Sequence, residues 1–343
     1  MFRRDAAEAF AVLTRDRADA QPPRGVLRTF FHSVKLIFLG MSAKLSPARR
    51  VLFVAALGAA VLGMVRIRAD IASQSVAVET SPFWFMVSIL ALVFLLALEL
   101  VDRIRVRDEL EVARALQLEL LPRSAPAIPG FEIAHSYRTA NEVGGDYYDF
   151  LPLSDGRYAV VIGDASGHGM ASGLLMAIAN ATLKIALDFD PAPEKVVALL
   201  NRVMCRTGNR RSFMTMFYGV LSPADGRLEY VCAGHPFPLL RRADSSTVEL
   251  GRGSLPLGIR SDLVIAAEAV EIAPGDVLVL YTDGLPEAPG RSGEAFGYDR
   301  LRTLVAAGGP PQVVHDRVLA TFRAFIGDEP LRDDACLVVL RRA

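Results

Sequence analysis

Aspartates punctuate this chain at the ends of its most strand-like runs, and that placement limits the fold more than any other feature. Residues 159–163 lead into Asp164, 277–281 lead towards Asp283, and 336–340 follow Asp334. Short apolar, β-prone runs of this kind read as buried strands, so their carboxylates gather at one rim of a sheet. Residues 141–150, Asn-Glu-Val-Gly-Gly-Asp-Tyr-Tyr-Asp-Phe, add Asp146 and Asp149 beside Gly145, and Asp333 stands next to Asp334. A lone Asp-Gly pair marks only a turn, the reading given to Asp155-Gly156 and Asp225-Gly226. Several rim carboxylates on rigid strand ends instead suit Mg2+ or Mn2+, which prefer oxygen ligands. Zinc is disfavoured, because no Cys or His ligand spacing exists.

Further strand-like runs occur at 132–137, 213–221 and 228–232, and helical patterns at 171–187, 193–206, 298–306 and 311–325. Strand pairs joined by turns, with helices grouped between them, predict an α+β domain with stacked antiparallel sheets. Gly167 and Gly169 permit a tight turn into the helix near Met170, whose N-terminal amides face an anion in this reading. His235, between Gly234 and Pro236, is read as a residue that orders its loop.

The first third of the chain is of another kind. Hydrophobic residues make up 52% of the 343, high for a purely soluble enzyme. Residues 51–65 carry no charge and, with flanks from 45 to 67, approach the roughly 20 residues needed to span hydrocarbon. Residues 82–98 are more strongly apolar and carry Trp84 as an interfacial anchor. The first fifty residues hold ten Lys or Arg, and Arg103, Arg105 and Arg107 follow the second span, whereas the loop at 66–81 has only Arg66 and Arg68. The positive-inside bias puts both ends in the cytoplasm around a short external hairpin. The expectation is a multi-pass protein of the inner (cytoplasmic) membrane, divided into a cytoplasmic segment 1–44, spans and loop 45–101, a linker helix 102–122 and a catalytic domain 123–343. Lys plus Arg equals Asp plus Glu at 38 each, so charge indicates no nucleic-acid partner. Cys205, Cys232 and Cys336 are odd in number and widely spaced, reading as thiols of a reducing compartment.

In the linker, Val106, Leu110, Ala113, Gln117 and Leu120 recur in an a/d rhythm. That stripe serves either a homodimer through residues 102–121 or packing against its own domain, and the pattern alone does not choose. Pro122, Pro126 and Pro129 stop the helix.

The ordered motifs Glu-Val-Gly-Gly-Asp-Tyr-Tyr-Asp (142–149), Gly-Asp-Ala-Ser-Gly-His-Gly-Met-Ala-Ser (163–172), Ala-Gly-His-Pro-Phe-Pro-Leu-Leu (233–240), Leu-Tyr-Thr-Asp-Gly-Leu-Pro-Glu-Ala (280–288) and Asp-Asp-Ala-Cys (333–336) together resemble one family. It is the bacterial metal-dependent serine/threonine phosphatases of the PP2C superfamily, in the branch of stage II sporulation protein E and the sigma-B regulator RsbU. The run 113–122 is similar to that branch's lead-in, and the resemblance covers roughly residues 108–343. It implies an α-β-β-α sandwich of two antiparallel sheets, here preceded by a transmembrane helical hairpin. It also implies two Mg2+ or Mn2+ ions held by Asp146, Asp164, Asp283, Asp333 and the Ala165 carbonyl, with Asp146 and Asp164 central to catalysis. Asp149, Asp334 and His168 would support those ligands, and Gly145, Gly167, Gly169 and Gly284 would shape the phosphate turns. The implied reaction is hydrolysis of phosphoserine or phosphothreonine on a signalling protein by water that two cations activate. The implied partner is a STAS-type anti-anti-sigma protein. The alternative is a catalytically weak, membrane-tethered signalling or binding protein of the same fold.

The chain departs from the branch in having Cys336 where a hydroxyl residue is usual and Pro286 where Thr is common; neither removes a ligand. His168 lies four positions after Asp164, whereas eukaryotic relatives carry their histidine two positions after, so it is read as structural rather than as a general acid.

Overall fold

The computed structural model describes residues 26–65, 67–71, 74–78, 81–124, 126–167, 169–207 and 212–343. The chain divides into two compact units, Met1–Arg107 and Asp108–Ala343. The first holds helices α1 (Val26–Lys44) and α2 (Pro47–Met64), the antiparallel strand pair β1 (Ile67–Ile71) and β2 (Gln74–Val78), and most of α3 (Ser81–Glu119). Pro47 opens α2, where its missing N–H leaves no helical hydrogen bond unmade. On α2 and α3, Val51, Val61, Ile89, Leu90 and Leu96 are all more than half exposed. Outward-facing apolar side chains on long helices suit hydrocarbon rather than water. Both helices are long and apolar enough to cross a membrane. Arg49 meets Glu99 and Asp102 at 2.8 Å each, so the charges at this end of the helix pair neutralise one another.

Where the sequence suggests a span and then a separate linker, α3 is uninterrupted. No glycine or proline falls between 83 and 119 to break it. The a/d stripe also divides: Val106 is exposed, whereas Gln117 is buried and Leu120 packs on the core of the second unit. At its C-terminal end, therefore, the stripe packs on its own domain.

The second unit contains two five-stranded antiparallel sheets. One runs β10 (Glu268–Glu271), β7 (Arg227–Ala233), β6 (Met214–Leu221), β5 (Tyr158–Ala165), β4 (Asp146–Pro152). The other runs β3 (Phe131–Arg138), β12 (Ala335–Arg342), β11 (Val277–Tyr281), β8 (Leu239–Arg241), β9 (Thr247–Glu249). Side chains alternate along a strand, and in β11 and β12 both faces are apolar. Leu278, Leu280, Cys336, Val338 and Leu340 join the core that also contains Ile162, Phe217 and Tyr148 of the opposite sheet. Val277, Val279, Leu337 and Val339 instead pack with Leu301 of α6 (Tyr298–Ala306) and Val318 and Phe322 of α7 (Pro311–Ile326). The first sheet's outer face is covered by α4 (Met170–Phe189) and α5 (Pro193–Thr207), which bury Met176, Leu183, Val196 and Leu200. The result is an α-β-β-α sandwich. Helix α4 matches α2 in length and hydropathy, but its buried face belongs to this core.

Asp155-Gly156 and Asp225-Gly226 are turns as expected: both glycines have positive φ, and Asp155 and Asp225 accept the backbone N–H of Arg157 and Arg227.

A carboxylate rim joining the two sheets

Asp146 begins β4 and lies directly opposite Asp164 of β5 in the antiparallel register. Residues so paired point to the same face, so two carboxylates of one sheet are held side by side. Asp283 comes from the other sheet, two residues beyond β11, and Asp333 and Asp334 immediately precede β12. Thr282 ties the sheets together: its hydroxyl donates to Asp146 Oδ2 at 2.7 Å and accepts the Cys336 N–H at 2.9 Å. Asp334 grips the loop before β4, accepting the N–H groups of Ala140 at 2.7 Å and Gly145 at 2.5 Å. The Gln117 side chain clamps the same loop, accepting the Gly144 N–H at 3.0 Å and donating to the Gly144 carbonyl.

Glycine is required here by close approach. A Cβ on Gly145 would lie 2.7 Å from the Ala165 carbonyl oxygen, and one on Gly284 would collide with the Asp334 carbonyl. Gly167 and Gly169 serve differently, both taking positive φ in the turn that ends at the N-cap of α4. Ala165 closes β5, and its N–H donates to the Gly145 carbonyl at 3.2 Å. Asp333 Oδ1 accepts the Asp334 N–H at 2.9 Å. His168 lies outside the described residues.

The electrostatics are those of like charges kept together without a counterion. Burial, then the facing Asp164, hold the Asp146 carboxyl well above the ordinary carboxylate range, although Thr282 opposes this. Burial, then Asp283 and Asp333, push Asp164 up to about 8. Burial, then Asp333 and Glu287, push Asp283 up to about 6. Asp283 Oδ1 is buried and has no hydrogen-bond partner. Among the described residues none of these carboxylates makes an ion pair with Lys or Arg, and no three His, Cys, Asp or Glu side chains converge closely enough to hold a metal ion.

Asp149 is not brought into this group. Three residues along β4 from Asp146, it points to the opposite face, where it accepts the Tyr147 hydroxyl at 3.0 Å and the Phe150 N–H at 2.8 Å. Tyr147 in turn meets Asn180 of α4 at 3.0 Å, so Asp149 belongs to the sheet–helix layer. His235 is buried, its Nδ1 lies 2.9 Å from Thr215 Oγ1, and burial lowers its pKa to about 3. A neutral, packed imidazole agrees with a loop-ordering role. Sequence reading missed Thr282 and the clamp by Gln117. A hydroxyl directly before Asp283 was the available signal for the first; Gln117 sat inside a stripe that otherwise read as apolar.

The model of the family described as stage II sporulation protein E (SpoIIE) matches residues 154–343. Protein IcfG of Synechocystis sp. is 28% identical over 240 residues, covering 62% of this chain and 38% of that protein. Phosphoserine phosphatase RsbP of Bacillus subtilis is 26% identical over 244 residues, covering 69% of this chain and 59% of that one. The chain thus spans less than two thirds of either relative. Among solved structures, the SiaA-PP2C domain of Pseudomonas aeruginosa superposes with a TM-score of 0.62 at 23% identity, covering 70% of this chain and 98% of that domain. Two antiparallel sheets flanked by helices, superposable on a PP2C domain, and a family match over more than half the chain lead to one conclusion: this chain belongs to the SpoIIE family and has the PP2C fold.

Proposed function

We propose that this chain is a membrane-held, metal-dependent protein phosphatase that hydrolyses phosphoserine or phosphothreonine on a signalling protein. The observation that carries the reading is the set Asp146, Asp164, Asp283 and Asp333 on adjacent ends of two sheets, with burial and mutual repulsion raising the pKa of the first three and one buried Asp283 oxygen lacking any partner. An all-oxygen, anionic donor set with an orphaned carboxylate oxygen fits Mg2+ or Mn2+. Asp146, Asp164, Asp283, Asp333 and the Ala165 carbonyl would hold two such ions. When bound, the ions supply charge neutralisation at the phosphoryl oxygens and a more acidic water nucleophile.

The chain's own residues set the stage for that step. Thr282 fixes the Asp146 carboxylate between the sheets, and Asp334 and Gln117 hold the loop from which Asp146 emerges. Neither buried thiol serves as nucleophile: burial raises Cys232 to about 12 and pushes Cys336 well above its usual value, so neither is a thiolate at neutral pH.

A STAS-type phosphoserine protein is the substrate class implied by the family, and the similarity to a protein named phosphoserine phosphatase RsbP supports it. The outward apolar faces of α2 and α3 and the basic flanks of the spans support an inner-membrane, multi-pass placement with the domain in the cytoplasm. The competing reading, a catalytically weak binding protein of the same fold, is favoured by one observation, that no three ligand side chains converge as described. Hydrolysis of a phosphoserine peptide by the full chain in detergent separates the two. Turnover that is lost in EDTA and restored by Mn2+ or Mg2+ supports the phosphatase, and its absence under all three conditions leaves the binding protein.

A further inference from the structure

The carboxylate rim is flanked by two clefts, with Asp283 and Glu287 bordering both. One, of about 240 Å3, is also lined by Arg332 and Asp333. The other, of about 340 Å3, has no lysine or arginine in its wall among the described residues; Phe237, Tyr281 and Tyr298 supply rings, and Glu249 and Glu287 supply carboxylates. The two carboxylates of that wall are not equivalent. Glu249 is ion-paired with Arg302, which cancels its charge. Glu287 is exposed and makes no ion pair among the described residues, and its carboxylate accepts the Tyr298 hydroxyl at 3.3 Å. Tyr298 stands edge-on to Tyr281 at 6.4 Å between centroids, so a ring and a free carboxylate share one wall. With the Asp283 charge committed to cations, Glu287 is the negative charge left facing the cleft.

We propose that this second cleft receives a lysine or arginine side chain of the phosphoprotein substrate, close in sequence to the phosphoserine, and that Glu287 and Tyr298 set the preference. The inference rests on the phosphatase reading above and names the substrate class more narrowly. A carboxylate beside aromatic faces recognises a cation through charge and ring quadrupole together, and it repels an acidic side chain at the same position. Arg332 lines only the other cleft, so the dianionic phosphate finds a cation there, whereas the cationic neighbour finds aromatic rings beside Glu287 in this one.

The test uses the full chain in detergent with Mn2+ and a set of phosphoserine peptides carrying Lys, Ala or Glu at each position flanking the phosphoserine. The readout is the ratio of kcat/KM between the Lys and Glu peptides within each variant, so that a uniform change in activity or folding cancels. Wild type favours Lys by about tenfold or more at one flanking position. Glu287→Gln brings that ratio close to one, Glu287→Lys inverts it, and Tyr298→Leu reduces it. A wild-type ratio near one at every position, or an unchanged ratio in Glu287→Gln, overturns the proposal while leaving the phosphatase reading intact. Failure to hydrolyse every peptide and para-nitrophenyl phosphate overturns that reading, and this inference with it.

Discussion

The two ends of β11 treat buried carboxylates in opposite ways. Asp276, one residue before the strand, is only 1% exposed yet fully partnered. Its carboxylate meets the Arg242 guanidinium at 2.8 Å and accepts the N–H groups of Ala243 at 2.9 Å and Ala273 at 3.0 Å. Asp283, two residues beyond the strand, has a buried oxygen with no partner and shares its neighbourhood with Asp164 and Asp333. The same sheet therefore holds a carboxylate that stabilises the fold and others that oppose it. Burial of a carboxylate without a partner cation is unfavourable, and the difference supports the proposal that the second end binds metal.

The largest effect expected from this contrast is on catalysis. Asp164→Asn and Asp283→Asn each lower phosphoserine-peptide turnover by about a thousandfold or more, roughly 4 kcal/mol of barrier. Both proteins stay folded, because removing a like charge relieves repulsion. Asp276→Asn behaves inversely: it leaves Arg242 short of its counter-charge and costs about 2 kcal/mol of stability. Its kcat/KM, measured below its own melting temperature, stays within about threefold of wild type. Paired melting curves and turnover rates check this, and a folded, fully active Asp283→Asn would erase the distinction between the two ends.

Next in size is the response to pH and metal. The carboxyls of Asp283 and Asp164 are raised to about 6 and about 8, above the ordinary value near 4. Between those limits the folded state keeps protons that the unfolded chain has released, so stability falls as pH rises. In EDTA the melting temperature drops between about pH 5 and pH 8, at roughly 3 °C per kcal/mol lost. Mn2+ or Mg2+ displaces those protons and flattens the curve. Scanning fluorimetry across that range decides it; a melting temperature that rises with pH in EDTA would mean that the rim is not self-repelling.

A smaller effect belongs to the hydroxyl that joins the sheets. Thr282→Val removes the donor to Asp146 and leaves the buried Cys336 N–H unsatisfied, at a cost of about 1–3 kcal/mol. The Mn2+ concentration for half-maximal activity rises about tenfold, as when a supporting partner of a ligand is lost. Thr282→Ser keeps both contacts and restores both measurements. If Thr282→Val loses stability without any change in metal requirement, the hydroxyl serves the fold alone, like Asp276.

The order of secondary structure could be read from the sequence where runs were long and punctuated. Strand β11 (277–281) and helix α6 (298–306) follow the pattern to the residue: an apolar run ends at Thr282-Asp283-Gly284 in the first, and Leu301 and Val305 recur at helical spacing ahead of Gly308-Gly309 in the second. Strands β8, β9 and β10 have three, three and four residues, too few for alternation to register, and their place is set by the neighbours they pair with. Asp149 shows a different limit. Its closeness to Asp146 in sequence suggested a shared role, but a three-residue step along a strand reverses the face. Gln117 shows a third: its helical spacing was visible, whereas its partner, Gly144, is 27 residues away and is found only through the tertiary fold. Helix α4, as apolar as a membrane span, reads from the sequence as a helix of the catalytic domain, and Met176 and Leu183 are buried in that domain's core.

The smallest effect expected is at Cys336, and its smallness is informative because of where the residue lies. Cys336 is fully buried on β12, its N–H bound to the Thr282 hydroxyl that holds Asp146. It is thus the thiol nearest the carboxylate rim by bonding. If covalent thiolate chemistry operated here, Cys336 would carry it. Yet burial, reinforced by Asp146, pushes its pKa well up, the reverse of the depressed value a nucleophilic cysteine needs. Cys336→Ser changes only the side chain and keeps the backbone N–H to Thr282. Turnover of a phosphoserine peptide should therefore stay within about threefold of wild type, less than 1 kcal/mol of barrier. Burying a hydroxyl in place of a thiol costs about 1–2 kcal/mol of stability if it finds no acceptor, so a modest fall in melting temperature is expected beside a nearly unchanged rate. A rate loss of about a hundredfold in a folded Cys336→Ser protein, or a phosphocysteine trapped from wild type, would move the chemistry from the carboxylates to the thiol and undo the contrast between the two ends of β11.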